Sequence, residues 1–225
     1  MKATPLTDNL IQLTRLRLMN AYLVREPDGF TLVDSTMGRV GAKLVAAARE
    51  AGGPIRRVAF THGHGDHVGG LDDLKATLGD ELEVLMPELD ARILAGETVV
   101  EGKLPGSWPT LRTTPDVRLA AGDRVGSLEV VPSPGHSPGH VAFLDIRDRS
   151  LIAGDVFAAV GQLNVSDHLY WRFPLPGWAT YDRARDRESA RALRALDPSL
   201  LAVGHGPATP RPAAAMDAAI ARARS

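Results

Sequence analysis

The chain has 225 residues, of which 44% are hydrophobic and 24% are charged, and its formal net charge is −1. This composition is typical of a globular protein with one sizeable core, and we expect a single domain over residues 1–225. The chain has no cysteine, which excludes disulfides and thiolate metal ligands. Its balanced charge provides no overall field to concentrate a nucleic acid, and no apolar run is long enough for a membrane span. Its first residues lack the apolar core of a secretory leader, so we expect a cytoplasmic protein.

The first part of the chain alternates predicted strands with predicted helices. Apolar residues that alternate with polar ones indicate strands, and a helical period indicates the helices between them. The strands are predicted at residues 11–18, 22–24, 30–34, 55–60 and 82–86. The helices are predicted at residues 40–51, at 71–78 and from Pro87 onward.

The second part begins with an irregular segment at 97–118 and then returns to strands. These are predicted at residues 128–131, 141–146, 151–153 and 200–203. A polar and aromatic segment fills 156–181, and helices are predicted at 182–196 and in the alanine-rich stretch at the end of the sequence. Early and late groups of strands predict two sheets with helices packed outside them.

A dense cluster of polar residues directly follows the strand predicted at 55–60. His62, His64, Asp66 and His67 stand within six positions, with glycines between and after them. In an extended chain His62 and His64 point to the same side, and a turn into the next helix would bring the other two back toward them. Imidazole and carboxylate groups are ligands for zinc and other first-row transition ions. A surface histidine cluster is the alternative, but this density favours a metal site.

Three later sites each place a histidine or an aspartate beside glycine at a predicted strand end. They are Gly135-His136, Gly154-Asp155 and Gly204-His205. One such site would be ordinary turn chemistry. Together with the cluster they provide seven candidate ligands, enough for two metal ions.

The combined pattern resembles the metallo-β-lactamase superfamily, whose signature is His-x-His-x-Asp-His followed by separate His, Asp and His ligands. The resemblance implies an α+β fold, an αββα sandwich of two mixed β-sheets with helices on the outer faces. It also implies a role for each candidate ligand. One metal ion would be held by His62, His64 and His136, and the second by Asp66, His67 and His205, with Asp155 bridging them and Asp34 orienting ligands.

The remaining histidines and the aromatic segment have separate interpretations. His140 is expected to be a hydrogen-bonded structural residue. His168 is a candidate substrate contact because it lies in the segment after Asp155. Tyr170 and Tyr181 are candidates because the lactonases that share this ligand set use a tyrosine near the site, so their choice is implied by the resemblance. Residues 164–181 are predicted either to line an apolar substrate pocket or to fill the core beneath a loop.

The resemblance implies a binuclear metal-dependent hydrolase that cleaves a small carbonyl ester, a lactone or a thioester, by a metal-bridging hydroxide. Asp66 is the expected catalytic residue. The expected cofactors are two divalent ions, Zn²⁺ first, with Fe or Mn as alternatives. We expect a small-molecule substrate and no nucleic-acid or membrane partner, and a homodimer stays open. The chain ends 20 residues after His205, so a glutathione thioester is disfavoured.

Two other functions are weighed against this one. An iron-dependent oxidoreductase of the persulfide dioxygenase type is the main alternative, since histidine and carboxylate ligands also suit iron. A phosphodiesterase or nuclease would use the arginines of the helix at 182–196. Those arginines alternate with acidic residues, which is typical of a solvated, ion-paired helix face.

Overall fold

The computed structural model describes residues 1–223, so residues 224 and 225 of the predicted single domain lie outside the described part. The described chain contains two large β-sheets, a two-stranded ribbon and helices. Among these residues, no helix combines the length and the apolar character that crossing a membrane requires.

The strands are numbered β1 to β15 along the chain. The first sheet is formed by β1 (Lys2–Pro5), β2 (Leu10–Arg15), β3 (Met19–Glu26), β4 (Gly29–Val33), β5 (Ile55–Ala59), β6 (Glu83–Pro87) and β7 (Val117–Leu119). The second sheet is formed by β8 (Arg124–Val125), β9 (Leu128–Pro132), β10 (Val141–Asp145), β11 (Ser150–Ile152), β14 (Leu200–Ala202) and β15 (Thr209–Pro210). The ribbon consists of β12 (Phe157–Ala158) and β13 (Asn164–Val165).

The helices are α1 (Gly41–Glu50), α2 (Gly65–Val68), α3 (Leu71–Leu78), α4 (Glu88–Leu94), α5 (Leu175–Ala179), α6 (Arg183–Ala195) and α7 (Ala213–Arg222). Asp182 caps α6, because its carboxylate accepts the backbone N–H of Arg185 at 3.0 Å. The predicted helix at 182–196 is therefore confirmed to within a residue at each end.

Both sheets mix parallel and antiparallel pairs. In the first sheet the strands lie in chain order, antiparallel from β1 to β4 and parallel from β4 to β7. In the second sheet the order is β15-β14-β11-β10-β9-β8, and β11 and β14 form its parallel pair. Parallel strands require crossover connections, which here include α1, α3 and α6.

Three apolar clusters show that the layers are stacked helix, sheet, sheet, helix. One cluster joins the first sheet to α1 and α3 through residues such as Leu44 and Leu71. A second fills the space between the sheets, where Tyr22 and Phe143 are buried. A third joins the second sheet to α6 and α7, with Leu193 as a member. This is the predicted αββα sandwich, and each apolar face is buried against its neighbour.

One predicted strand is too long. The alternation at 11–18 predicts a single strand, but β2 ends at Arg15. Leu16 and Arg17 have positive φ angles of 49° and 64°, which turn the chain back into β3. Alternation alone does not reveal this turn, because neither residue is a glycine or an asparagine.

Candidate metal centre

The candidate ligands follow strand ends at one edge of the two sheets. His62 comes after β5, and Asp155 and His205 come after the parallel strands β11 and β14. His136 lies in the loop between β9 and β10. The carboxyl ends of parallel strands meet at one edge of a sheet, and in α/β folds this edge commonly carries the binding site.

The first group of candidate ligands is His62, His64 and His136. Each offers a ring nitrogen, and the three atoms lie within 4.8 Å of one another. His64 Nδ1 lies 3.1 Å from His136 Nε2. All three side chains are buried.

The second group of candidate ligands is Asp66, His67 and His205, whose ligand atoms also lie within 4.8 Å of one another. His205 Nε2 lies 3.2 Å from Asp66 Oδ2. Asp155 stands between the groups, since its Oδ2 is 3.5 Å from His136 Nε2 and 3.1 Å from His205 Nε2. The structure therefore brings together all seven side chains that the sequence selects as ligands.

On four of the five histidines among the candidate ligands, a hydrogen bond to Nδ1 makes Nε2 the nitrogen that can bind a metal ion. His67 Nδ1 lies 2.9 Å from Asp34 Oδ2, and His205 Nδ1 lies 3.1 Å from the carbonyl oxygen of Leu18. A carboxylate and a carbonyl only accept, so each Nδ1 carries a proton, and Nε2 is the nitrogen that can bind a metal ion once the ring is neutral.

The other two histidines bond to threonine hydroxyls that are already donating elsewhere. Thr61 Oγ1 donates to Asp34 and lies 3.0 Å from His62 Nδ1. Thr180 Oγ1 donates to the Ser166 carbonyl and lies 3.0 Å from His136 Nδ1. Each hydroxyl therefore accepts from the imidazole, which again leaves Nε2 as the free ligand atom.

The centre separates neutral from protonated histidines. Burial lowers the pKa of His62 and His136 well below their ordinary values, and it lowers the pKa of His64 to about 4. Burial acts the same way on His67 and His205, but there the nearby carboxylates, Asp155 above all, prevail. They raise the pKa of His67 well above its ordinary value and that of His205 to about 9.

The two carboxylates of the centre are ionised. Burial would raise the pKa of Asp155, but the positive charges of His205 and His67 hold it well below its ordinary value. The pKa of Asp66 is likewise lowered against burial, by His67 and His205. Both aspartates are therefore in the form that binds cations.

The donor set fits a pair of metal ions. Among the described residues, His62 Nε2 and His64 Nε2 are buried ring nitrogens with no hydrogen-bond partner, and His67 Nε2 and Asp155 Oδ1, 3.4 Å apart, also lack a hydrogen bond. Buried polar groups normally have a partner, and a bound metal ion would be a partner for these atoms. A set of imidazoles and carboxylates without thiolates suits zinc, iron or manganese.

Asp90 is a residue of the centre that the sequence does not single out. It lies in α4, is fully buried, and accepts hydrogen bonds from Gly63 N–H at 2.8 Å, Gly139 N–H at 2.7 Å and Ser137 Oγ at 2.6 Å. It therefore ties the 62–67 loop to the 134–140 loop. Burial raises the pKa of Asp90 to about 6, and these hydrogen bonds oppose the rise.

The irregular segment at 97–118 also contributes to the centre. The ring of Trp108 meets His64 edge to face, with centroids 5.0 Å apart, and the carbonyl of Ser107 accepts the N–H of Gly65 at 2.8 Å. A Cβ at Gly63 would lie 2.6 Å from the Trp108 ring, so glycine is required here for close packing. No periodic pattern marks this segment, so its role could not be predicted from the sequence.

A cavity of about 680 Å³ opens beside the ligands. Candidate ligands His64, Asp66, His136, Asp155 and His205 form part of its wall. Asp66 is the most accessible ligand, since 34% of its side chain is exposed while the side chains of His67, His136, Asp155 and His205 are at most 6% exposed. Its wall is completed by apolar residues at 18–19, 37 and 173–179, by glycines, and by Ser107 and Pro109.

His140 is placed as the sequence predicts, as a hydrogen-bonded residue outside both ligand groups. Its Nδ1 lies 2.9 Å from Ser133 Oγ, and its Nε2 accepts the backbone N–H of Asp155 at 3.1 Å. Since both ring nitrogens have partners, its structural contribution is to hold Asp155.

The three candidate substrate contacts do not line this cavity. His168 is bound to Asp167 at 2.7 Å, and with Tyr170 it lines a separate small void. The hydroxyl of Tyr181 donates to the carbonyl of Glu101 at 2.9 Å. In the same segment Phe173, Leu175, Pro176 and Trp178 line the cavity instead. The segment 164–181 thus contributes to the cavity wall, but through residues other than the three candidate substrate contacts.

The chain matches the sequence profile of the metallo-beta-lactamase superfamily over residues 15–205. This span includes every candidate ligand, and the chain belongs to that superfamily.

Similar proteins include YobT of Bacillus subtilis (strain 168), which is 38% identical over 92% of this chain and 91% of its own. The probable metallo-hydrolase YflN of the same organism is 25% identical over 85% of this chain and 81% of its own. A hydroxyacylglutathione hydrolase of Rhodospirillum rubrum is 31% identical over 69% of this chain, but the match spans only 50% of that enzyme.

Among solved structures, TTHA1623 in a di-iron-bound form is 29% identical, with a TM-score of 0.64 over 95% of this chain and 96% of its own. A metallo-beta-lactamase from Pontibacter korlensis has a TM-score of 0.71 at 17% identity, over 98% of this chain and 99% of its own. The second likeness establishes the shared fold alone.

Proposed function

We propose that this protein is a binuclear metal-dependent hydrolase that cleaves a small carbonyl ester, a lactone or a thioester. The observation that carries the proposal is the convergence of seven candidate ligand side chains, five of which line one cavity. Relatives support the class, since one is a hydroxyacylglutathione hydrolase and another a probable metallo-hydrolase.

The residues divide between two metal positions. His62, His64 and His136 would hold one ion, and Asp66, His67 and His205 the other, with Asp155 between them. Bound there, two divalent ions would supply Lewis acidity that polarises a carbonyl group and makes water nucleophilic at neutral pH. Asp34, Thr61 and Thr180 hold the imidazoles in the required tautomers.

Asp66 has the accessibility that proton transfer requires. Its carboxylate lines the cavity and is ionised, so it can accept a proton from the attacking water and pass it to the leaving oxygen or sulfur. In the overall reaction the water oxygen bonds to the carbonyl carbon and the C–O or C–S bond breaks. The chain needs no serine or cysteine nucleophile for this chemistry.

The test is a hydrolysis screen of lactones, thioesters, β-lactams and phosphodiesters with zinc- and manganese-loaded protein. We expect turnover of lactones or thioesters and a loss of at least about 100-fold in kcat/KM in Asp66→Ala, the size of a general acid–base contribution. Unchanged circular dichroism would show that the variant is folded. Retained activity in folded Asp66→Ala would refute the role of Asp66.

An iron-dependent oxidoreductase is the second candidate function, favoured by one observation. The neighbour TTHA1623, at 29% identity, was solved in a di-iron-bound form. The imidazole and carboxylate donors of the centre suit iron as well as zinc. Metal analysis of protein grown without added metal, together with oxygen uptake on persulfides, distinguishes the two functions.

The structure offers no support for a nuclease based on the arginines of α6. Arg187 pairs with Asp167 at 3.3 Å, and Arg194 pairs with Asp217 at 2.8 Å. These side chains are engaged in ion pairs within the protein, although their partners Asp167 and Asp217 are not the acidic residues that alternate with the arginines along the helix.

A further inference from the structure

The cavity beside the candidate ligands has a largely apolar wall. Apart from the ligands, its larger side chains are apolar and come from two parts of the chain, residues 18–37 and the segment around α5. They are Leu18, Met19, Met37, Phe173, Leu175 and Trp178. Apolar contact begins at the centre itself, since the Phe173 ring lies 5.1 Å from the ring of His205.

Outside the candidate ligands, no charged side chain lines the cavity among the described residues. Among the described residues that line the cavity there is no lysine and no arginine, and Asp66 and Asp155 are its carboxylates. A substrate tail that carries a carboxylate or a phosphate would therefore find no cation outside the metal positions. Burying an unpaired charge costs far more than burying an apolar chain of the same length.

The rim of the cavity exposes large apolar side chains. Trp178 is 69% exposed, Leu175 is 57% exposed and Met37 is 42% exposed. Contiguous exposed apolar residues around a cavity that also contains reactive groups are typical of a ligand-binding groove. The volume of about 680 Å³ is in the range of sites that bind small organic molecules.

We propose that the substrate is an uncharged ester, thioester or lactone that carries an apolar acyl chain, and that this chain lies against Leu175 and Trp178. This inference rests on the proposed hydrolase function for the reacting group, but the chain-binding site itself does not depend on catalysis. It makes Trp178 and Leu175 specificity-determining residues.

The binding test uses neutral amides that the protein does not need to hydrolyse. Butanamide, hexanamide and octanamide are titrated into the protein by calorimetry. We expect affinity to rise by about fourfold per methylene, which corresponds to about 0.8 kcal/mol per buried CH₂. Adipamic acid, which has the length of hexanamide and a terminal carboxylate, should bind at least tenfold more weakly.

Substitutions in the cavity wall show where the apolar chain of the ligand binds. Trp178→Ala and Leu175→Ala should flatten the dependence on chain length, and both side chains are exposed enough that neither substitution threatens folding. Trp171→Ala is the matched control, because Trp171 is 79% exposed in the same segment but does not line the cavity. Equal effects of Trp178→Ala and Trp171→Ala would overturn the assignment, as would affinity that is independent of chain length.

An activity series separates this inference from the proposed function. The zinc-loaded protein is assayed with the acetyl, butyryl and hexanoyl esters of p-nitrophenol. We expect kcat/KM to rise with the length of the acyl chain. If the amides bind as expected and no ester or lactone is cleaved, the hydrolase proposal fails and the chain site stands. If all esters are cleaved equally well, the chain site fails and the hydrolase proposal stands.

Discussion

The Nδ1 atom of His67 lies 2.9 Å from Oδ2 of Asp34, and both side chains are only 1% exposed. Asp34 follows β4, has a positive φ of 61°, and also accepts the backbone N–H of Thr61 at 2.9 Å. One carboxylate therefore fixes His67 directly and His62 through Thr61. The Asp34 side chain is thus positioned to set the direction of two candidate ligands from different metal groups.

Substitution of Asp34 tests this positioning. We expect Asp34→Asn to weaken zinc binding by about 10–100-fold, the usual range when a hydrogen-bond partner of a metal-ligating histidine is changed. Zinc affinity is measured by competition with a chelator. Asp80→Asn, at an exposed position in the turn after α3, is the control and should leave affinity unchanged. Equal affinities for the two variants would contradict the role of Asp34.

Substitution of Asp90 tests the link between the two ligand-bearing loops. Asp90→Ala leaves the N–H groups of Gly63 and Gly139 without their partner inside the protein. We expect the free energy of unfolding to fall by about 3 kcal/mol, since each orphaned buried donor costs about 1–3 kcal/mol. The measurement is denaturant unfolding of metal-free protein. Asp123→Ala, which removes an exposed acceptor from Ala120 N–H, should cost less than about 1 kcal/mol.

Metal uptake should release protons. In metal-free protein at pH 7 His205, with a pKa of about 9, is protonated, and so is His67, whose pKa is also raised. The other three histidines have lowered pKa values and are already neutral. Because ligand imidazoles must be neutral, filling both positions at pH 7 should release about two protons. Zinc affinity should therefore rise with pH up to the pKa of His205.

Calorimetric titrations in two buffers with different ionisation enthalpies count the protons. A result of no net release would contradict the assignment of His67 and His205 as protonated residues that become ligands.

Gly204 should be intolerant of any side chain. A Cβ at this position would overlap Asp155 Oδ1 and would lie 2.7 Å from Cε1 of His67. We expect Gly204→Ala to displace both ligands and to weaken zinc binding by about tenfold or more. Gly96→Ala is the control: its φ of 87° makes alanine cost some stability, but a Cβ there meets nothing within 4 Å, so zinc affinity should be unchanged. Unchanged zinc affinity in Gly204→Ala would show that the Asp155 carboxylate is not confined as described.

The seven candidate ligands could be selected from the sequence because they stand at local features, whereas their division between two metal positions was implied by the family resemblance. His62, His64 and His67 fall in one short run, and Asp155 and His205 each stand beside glycine after a strand of strong apolar character. Strand ends that meet at a sheet edge bring such residues together without any further information. The layered fold follows from the same alternation of strand and helix periods.

The residues that hold the candidate ligands and their loops in place could not be predicted from the sequence in this way. Asp90 is one of two acidic residues in the first turn of a short helix, and Trp108 lies in a segment with no period. Their roles arise from contacts over long sequence separations, such as the 49 positions between Asp90 and Gly139. For the same reason the aromatic segment suggested His168, Tyr170 and Tyr181, while the fold directs Phe173 and Trp178 to the cavity.

The central claim is that these seven side chains hold two metal ions that are required for hydrolysis. The most direct measurement titrates metal-free protein with zinc while lactone or thioester hydrolysis is followed. We expect two bound ions per chain, hydrolysis that appears as they bind, and no hydrolysis after chelation. A stoichiometry of zero, or hydrolysis that persists in metal-free protein, would contradict it.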